Sequence, residues 1–180
     1  MKFAGLMLLL ALFGCVLWVP VGGKYVSNDS FFEVELPAGW RRAYSTRDGL
    51  TMTRDGLSLQ VVRIVREPFD KELLFTKRKL EKNMLPQEVA EIIIDNFRSN
   101  QNISNFQVGE NQPATVGGYP GFKINYSYQT KENLKKQGIY YGALIDQWLY
   151  RVFLEAPARH YFPRDLSTLE RVKGTFKVTL

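Results

Sequence analysis

Histidine and cysteine, the side chains most often used to bind metals or to serve as base and nucleophile, each occur once in this chain of 180 residues. His160 lies in the segment Ala158–Phe162, and Cys15 lies near the N-terminus. A zinc site built from several histidines and a two-histidine facial triad are therefore excluded. A Ser-His-Asp arrangement would need His160 as its base, yet no GxSxG signature accompanies it. We interpret His160 as a surface residue or the start of a helix, and we expect no metal and no cofactor.

A pair of carboxylates and a glycine-rich segment are the next candidates for chemistry. Glu33 and Glu35 alternate with the apolar residues of Phe32–Leu36, a period of two that predicts a strand whose acidic side faces solvent. The segment Gly117–Gly121 would suit a phosphate if a helix N-terminus followed it, but a strand pattern follows instead. Neither set indicates catalysis, and we predict that the protein is not an enzyme.

The net charge of +6 would indicate a nucleic acid or an anionic surface as partner if the basic residues were clustered. Most of them are interspersed with acids, and the local concentration is Lys77, Arg78, Lys79 and Lys82. These four residues lie in Asp70–Asn83, where we predict a helix, and we interpret them as its solvated face. Docking of this basic patch on an anionic lipid surface is the alternative. We expect no nucleic-acid partner.

The N-terminus has the layout of an export signal. Lys2 is followed by an uncharged apolar run over Phe3–Val21, as in the n-region and h-region of a signal peptide. In one interpretation Leu12–Cys15 resembles the lipobox of bacterial lipoproteins, in which the cysteine is acylated and becomes the mature N-terminus. In a second, the run of roughly 20 apolar residues is an uncleaved membrane helix. In a third, Val21–Gly23 provides small residues for ordinary cleavage.

The first two interpretations tether the protein to a membrane. We therefore predict an exported, membrane-anchored protein on the periplasmic or cell-surface side of a bacterial envelope. Residues 1–23 would be the signal peptide or anchor, 24–30 a short linker, and 31–180 a single folded domain. Because Cys15 is the only cysteine, no intrachain disulfide can form, and packing must hold this domain together.

The stretch Gly121–Ala156 predicts three consecutive strands in the middle of an antiparallel sheet. Aromatic and β-branched residues alternate with polar ones from Phe122 to Tyr128, and polar turns separate this strand from two further aromatic runs. Three strands joined by short links form a meander. Further strands are predicted near 32–36, 50–53 and 57–66, with two short ones between Ile103 and Gly118 that are joined by an exposed link through Pro113.

Helical periodicity is predicted in three segments, Asp70–Asn83, Pro86–Asn100 and Pro163–Gly174. In the second of them Pro86 suits the first helical position. One face of this helix carries apolar side chains that should lie on the sheet. Asp165 is a candidate N-cap of the third helix, and a short closing strand follows it. The whole pattern predicts one α+β domain with helices covering a mainly antiparallel sheet.

Several phrases of the sequence then resemble a known family. They are Phe32–Trp40, the turn Gly118–Gly121, the run Trp148–Val152 with Ala156-Pro157 after it, and Phe176–Val178 behind a short helix. Together they resemble the PsbP-like family, which includes an extrinsic protein of the photosynthetic oxygen-evolving complex and bacterial lipoproteins such as the DcrB-like ones. The resemblance covers residues 31–180 and implies an α/β/α sandwich around an antiparallel sheet, used as a binding or assembly module. No catalytic motif comes with it, and fold analogy does not transfer photosynthetic function.

Two hypotheses of function follow. The first is a membrane-tethered, non-enzymatic envelope lipoprotein that binds a protein partner. The alternative is an envelope protein that binds or hydrolyses a ligand in a pocket between the aromatic strands and the helices of Asp70–Asn100. A deep pocket in which carboxylate and arginine side chains converge would favour the alternative, whereas a filled core with a flat apolar patch would favour the first.

Overall fold

The computed structural model describes residues 18–44 and 49–179. These residues form two antiparallel sheets and two helices, which confirms the predicted single α+β domain. The strands are β1 (Trp18–Pro20), β2 (Gly23–Val26), β3 (Phe32–Leu36), β4 (Arg41–Ala43), β5 (Gly49–Thr53), β6 (Val61–Pro68), β7 (Ile103–Val116), β8 (Tyr119–Thr130), β9 (Lys135–Ile145), β10 (Trp148–Pro157) and β11 (Lys177–Val178). The helices are α1 (Pro86–Arg98) and α2 (Tyr161–Thr175). Within the described ranges, neither helix has the length and apolar content that crossing a membrane would require.

The larger sheet has the strand order β1-β4-β5-β6-β10-β9-β8-β7, and each neighbouring pair is antiparallel. After β6 the chain crosses through α1 to the far edge, and β7 to β10 then return strand by strand until β10 pairs with β6. The predicted meander is therefore confirmed, and it supplies β8, β9 and β10 next to the centre of the sheet. The smaller sheet has the order β11-β3-β2.

Side-chain alternation along the strands divides the core into two layers. One face of the larger sheet, which includes Val152 and Leu154, packs against α2 and the smaller sheet. The opposite face, which includes Phe122 and Ile124, packs against α1. All four of these side chains are almost completely buried. The result is the α/β/α arrangement that the resemblance implied, with the smaller sheet added to one outer layer.

Helix α1 begins where the sequence predicts. Pro86 occupies the first turn, and the Glu88 carboxylate accepts a hydrogen bond of 2.7 Å from the Leu85 N–H, which stabilises the helix start. The buried side chains of α1 are Val89, Ala90, Ile92, Ile93 and Ile94. This face lies on β7, β8 and β9, as expected for a helix that covers a sheet.

The predicted helix over Asp70–Asn83 is wrong, because this segment is a series of turns and extended residues. Its backbone forms hydrogen bonds with tertiary partners: the N–H groups of Phe75 and Thr76 both donate to Asn96 Oδ1 of α1, at 2.9 and 3.3 Å. Lys77 has a φ of 58°, which is incompatible with a right-handed helix. Leu73 and Leu80 are buried at a spacing that mimics helical periodicity.

Two finer predictions also differ from the structure. Residues 103–116 form one long strand with bulges near Asn105 and Gly109, and Pro113 lies inside it instead of in a link. Proline is tolerated there because β7 is the edge strand, so no neighbouring strand needs its missing N–H. Asp165 lies within α2, and its carboxylate bonds the Arg164 side chain at 2.7 and 3.1 Å instead of capping the helix.

Residues 18–30, which the sequence assigned to the leader and a linker, are part of the fold. Strand β1 pairs with β4, and β2 pairs with β3. Lys24 forms an ion pair of 2.7 Å with Glu33, and the Ser27 hydroxyl accepts hydrogen bonds from the N–H groups of Phe31 and Phe32. The predicted linker over 24–30 is thus wrong, because these strands are too short for their alternation to be recognised. Residues 1–17 lie outside the described residues, so the signal peptide stays a prediction.

Candidate binding cleft

Helix α1 covers only part of its face of the larger sheet. It packs on β7, β8 and β9. The remainder of the face, mainly on β5, β6 and β10 with three tyrosines from β8 and β9, forms the floor of an open cleft of about 590 Å³. We call this feature the sheet cleft. Its walls are Leu74, Phe75, Phe97, Asn100 and Ile103 on one side and Leu57 on the other, and its floor carries aromatic, arginine and glutamate side chains.

Tyr126 reaches the sheet cleft across a glycine. Gly138 lies opposite Tyr126 in the β8–β9 ladder, and a Cβ added at Gly138 would collide with the Tyr126 ring. Because that Cβ is missing, the ring lies flat over β9 and its hydroxyl reaches Glu155 on β10. Tyr126 Oη and Tyr128 Oη donate to the same oxygen, Glu155 Oε1, at 2.9 and 3.3 Å.

The environment of these two tyrosines keeps them protonated. Burial raises the pKa of Tyr126 well above its usual range, and the negative charge of Glu155 adds to this effect. Burial and Glu155 also raise the pKa of Tyr128. Both hydroxyls therefore act as hydrogen-bond donors to a fixed carboxylate, and neither is poised to act as a base near neutral pH.

Two arginines occupy the opposite part of the floor. Arg151 Nη2 lies 3.0 Å from Glu67 Oε1 and forms an ion pair with it. Arg63 donates to the hydroxyl of Thr51 at 3.2 Å, and its guanidinium lies 5.8 Å from the centre of the Phe153 ring. Among the described residues no carboxylate lies within ion-pairing distance of Arg63. Arg63 is exposed at the mouth of the cleft, but partial desolvation of its guanidinium by the cleft walls, followed by the positive charge of Arg151, lowers its pKa. Arginine nevertheless stays charged at physiological pH.

Two buried polar atoms at the sheet cleft have no hydrogen-bond partner among the described residues, the Tyr140 hydroxyl and Arg151 Nε. Tyr140 is only 2% exposed. Burial raises its pKa to about 12, and the charge of the Arg151 side chain opposes this rise, as does its closeness to the hydroxyl, although the two groups do not meet the geometry of a hydrogen bond. Buried polar groups are nearly always hydrogen-bonded, so such an atom needs a reason. Both residues line the sheet cleft, so the two donors without a partner lie at the same site.

The arrangement can bind a ligand but offers little chemistry. The four charged side chains on or beside the floor, Arg63, Arg151, Glu67 and Glu155, sum to zero. Among the described residues that line the cleft there is neither a histidine nor a thiol. No group of three or more histidine, cysteine or acidic side chains in residues 18–44 and 49–179 is placed to hold a metal ion. A polar floor with aromatic and aliphatic walls is the usual composition of a binding site.

The residues singled out from the sequence do not meet at this cleft. His160 lies at the exposed start of α2, as expected. Glu33 faces the surface, where it pairs with Lys24 and with Lys177 at 3.9 Å. The basic patch of Lys77, Arg78, Lys79 and Lys82 is exposed, but it lies on an irregular segment instead of a helix face. Cys15 lies outside the described residues.

The functional candidates that the sequence analysis missed are Arg63, Tyr140, Arg151 and Glu155. A signal for the charged ones exists: Arg151 and Glu155 are four residues apart on a predicted strand, and so are Arg63 and Glu67, although Glu67 lies one residue past the predicted end of its strand. Such a spacing places both charges of each strand on one face. The missing information was the pairing of β6 with β10, because these strands are some 80 residues apart in the chain.

Solved structures of other proteins share this fold. The solution structure of cyanobacterial PsbP (CyanoP) from Synechocystis sp. PCC 6803 has a TM-score of 0.58 at 13% identity and covers 93% of this chain and 95% of that one. LpqN, involved in cell envelope biogenesis of Mycobacterium tuberculosis, has a TM-score of 0.60 at 15% identity and covers 91% of both chains. The Ran-binding protein Mog1p of Saccharomyces cerevisiae has a TM-score of 0.59 at 6% identity and covers 89% of this chain and 96% of that one.

At these identities the likeness concerns the fold. It confirms the PsbP-like fold that the sequence phrases indicated. No protein-family model matches the sequence, and no curated protein matches it.

Proposed function

We propose that this chain is a membrane-tethered, non-enzymatic module of a bacterial envelope that binds a protein partner in the sheet cleft. The observation that carries the proposal is the incomplete cover of the larger sheet, which leaves an open cleft with apolar edges. Leu57 and Leu74 line it and are 49% and 68% exposed. Exposed apolar side chains around a concave surface are typical of interaction sites.

The structural neighbours support a binding role in general terms. Mog1p is a Ran-binding protein, and LpqN is involved in cell envelope biogenesis. A shared fold does not fix a function. The neighbours therefore support a binding role in general, and the cleft indicates where on the molecule the partner would bind.

Photo-crosslinking tests the proposed binding surface. A benzophenone amino acid at Leu74 should trap one partner in native membranes. The same probe at Val26, which is 46% exposed on β2 and outside the cleft lining, is the matched control. The trapped partner, identified by mass spectrometry, should bind the purified full chain about tenfold more weakly when Leu57 is changed to Glu, because a charge on the cleft wall disrupts an apolar contact. Equal trapping at both positions would contradict the proposal.

The tether is proposed to be a lipid on Cys15. Only Val16 and Leu17 separate Cys15 from strand β1. If the leader were instead an uncleaved helix that ends before β1, its apolar residues 3–17 would span about 22 Å, less than the roughly 30 Å of a bilayer core. We expect Cys15→Ser to abolish labelling with a radioactive fatty acid and to leave the precursor unprocessed. Equal label in wild type and variant would exclude the lipid anchor.

The basic patch is proposed as an auxiliary contact with anionic lipid. Arg78 pairs with Asp95 at 3.6 Å, whereas Lys77, Lys79 and Lys82 have exposed side chains and no ion-pair partner among the described residues. Each lysine near an anionic surface contributes about 1 kcal/mol. Changing these three lysines to Glu should reduce binding of the full chain to vesicles containing phosphatidylglycerol, and unchanged binding would remove the patch from the proposal.

A small ligand is the second candidate occupant of the sheet cleft. The convergence of arginine and glutamate side chains with two unpartnered buried atoms favours it. A small ligand predicts saturable binding by the purified chain without any other protein. Partner binding that persists when the cleft is saturated with such a ligand would separate the two candidates.

A further inference from the structure

We propose that the sheet cleft contains a subsite for a carboxylate group, formed by Arg63, Arg151 and Tyr140. The occupant is the acidic side chain of the partner polypeptide, next to an apolar residue that lies among the aromatic rings. The inference rests on the proposed function only in naming the partner as the source of the carboxylate.

The first support is that Arg63 has no ion-pair partner among the described residues. Its hydrogen bond in the structure is to the neutral hydroxyl of Thr51, and Glu67 and Glu155 influence it only from outside ion-pairing distance. Arg63 itself is exposed at the cleft. An arginine held by a neutral neighbour over an aromatic ring retains donors that match the two oxygens of a carboxylate.

The second support comes from two buried hydrogen-bond donors on neighbouring strands. Tyr140 Oη and Arg151 Nε are buried and have no hydrogen-bond partner among the described residues. Phe153 lies opposite Arg63 in the β6–β10 ladder, and Tyr140 lies opposite Phe153 in the β9–β10 ladder. The unsatisfied donors and Arg63 therefore share one face of adjacent strands. Both atoms are closed off from solvent in this structure, so a ligand oxygen can reach them only after a small side-chain movement, and it would then satisfy donors that have no partner among the described residues.

The charge balance selects a carboxylate over a phosphate. Arg151 is neutralised by Glu67, and Glu155 lies on the same floor. Although the four charges sum to zero, Arg63 has no ion-pair partner among the described residues, and a single such guanidinium suits a monoanion. A phosphate dianion would add a second negative charge beside Glu155, and like charges in a partly buried site repel.

The apolar walls of the sheet cleft indicate which chemical group the ligand carries next to its carboxylate. Phe75, Phe97 and Phe153 line the cleft together with Leu57 and Leu74. These side chains provide an apolar surface beside a polar floor, so the ligand should combine an acidic group with an apolar or aromatic one.

Binding of defined probes to the full-length chain in detergent tests this subsite. The small probes are 3-phenylpropionate, its neutral amide, and phenyl phosphate. The peptide probes are acetyl-Phe-Glu-Phe-amide and its Gln counterpart. Arginine Nε–H resonances of the ¹⁵N-labelled chain provide the readout, because a carboxylate bound at Arg151 Nε shifts that signal. The amide and the Gln peptide carry the same rings and report any shift that the ring currents alone produce.

We expect the two carboxylate probes to bind and to move the Arg151 resonance, and the amide, the Gln peptide and phenyl phosphate to bind at least tenfold more weakly. Arg63→Gln should weaken carboxylate binding by about tenfold or more, as expected for hydrogen bonds to a charged group. Tyr140→Phe should weaken it severalfold. Arg98→Gln, which removes an exposed arginine one residue from the cleft wall, is the matched charge control and should bind as wild type.

The outcomes separate this inference from the proposed function. If the amide binds as well as the acid, or Arg63→Gln binds as wild type, the carboxylate subsite is wrong even if a partner is trapped at Leu74. If 3-phenylpropionate binds but the Glu peptide does not, the partner's acidic side chain is wrong as the source and a free small acid is the ligand. If phenyl phosphate binds most tightly, the charge argument is wrong.

Discussion

Tyr140 and Arg63 show that the binding potential of the sheet cleft depends on a buried hydroxyl with no hydrogen-bond partner, and an arginine with no ion-pair partner, among the described residues. Tyr140 is buried, whereas Arg63 is partly exposed and bonds the neutral hydroxyl of Thr51. Neither feature adds to stability. A buried hydroxyl without a hydrogen bond lowers the free energy of unfolding, because that group loses water and gains nothing in exchange.

We therefore predict that Tyr140→Phe stabilises the protein. Removing the hydroxyl eliminates its desolvation cost while the ring still packs on Phe122 and Phe153, at centroid distances of 5.9 Å in both cases. The free energy of unfolding should rise by about 1 kcal/mol, measured by urea denaturation at pH 7. A gain in stability together with weaker carboxylate binding is the trade-off expected of a functional group. A loss of stability would show that the hydroxyl has a partner in the folded protein.

At the scale of elements, the sequence predicted best where burial is local. The alternation in β8 and the apolar face of α1 both reflect one element packed on one neighbour, and both are confirmed. The segment 70–83 shows the limit. Its leucines have helical spacing, but Asn96 on α1 binds its backbone and Lys77 adopts a left-handed conformation. Tertiary hydrogen bonds thus decided the backbone there, and propensity alone could not reveal them.

The charged lining of the sheet cleft could not be predicted for a similar reason. The sequence does indicate a pocket between the aromatic strands and the segments over Asp70–Asn100, and the structure has a cleft there. Which charged residues line it depends on the pairing of β6 with β10 and on where α1 ends its cover of the sheet. Both depend on contacts between residues far apart in the chain, whereas the alternation of side chains along a strand can be read from neighbouring residues.

Gly138 of β9 gives a prediction about how two neighbouring strands pack. Gly138→Ala should destabilise the protein by about 1–3 kcal/mol, because the new methyl group occupies the space of the Tyr126 ring and forces it away from Glu155. Gly109→Ala in edge strand β7 is the matched control: its Cβ would meet only the Asn125 carbonyl oxygen at 3.6 Å, an ordinary contact. Thermal unfolding of both variants checks this, and equal melting temperatures would contradict the argument.

The whole molecule buries many tyrosines, and their protonation links its stability to pH. Burial raises the pKa of Tyr140 to about 12 and that of Tyr126 well above its usual range, and it also raises the pKa of Tyr150. In the unfolded chain these groups ionise near pH 10. Between about pH 10 and pH 12 the unfolded state therefore binds fewer protons than the folded state, so stability is complete below this window and falls as the pH rises through it.

We predict a steep loss of stability in alkali, to which each fully buried tyrosine contributes up to about 1.4 kcal/mol per pH unit. For Tyr140, a shift from about 10 to about 12 corresponds to a loss of roughly 2–3 kcal/mol by pH 12. Urea denaturation from pH 8 to pH 11.5 measures this slope, and Tyr140→Phe isolates one tyrosine, because other titrating groups are common to both proteins. The variant should lose stability less steeply, whereas Tyr44→Phe, at a position that is 61% exposed, is the matched control. If Tyr140→Phe and wild type fall in parallel, the Tyr140 hydroxyl reaches water in the folded protein. It would then ionise as freely there as in the unfolded chain, and the unpartnered donor from which the carboxylate subsite is inferred would be solvated.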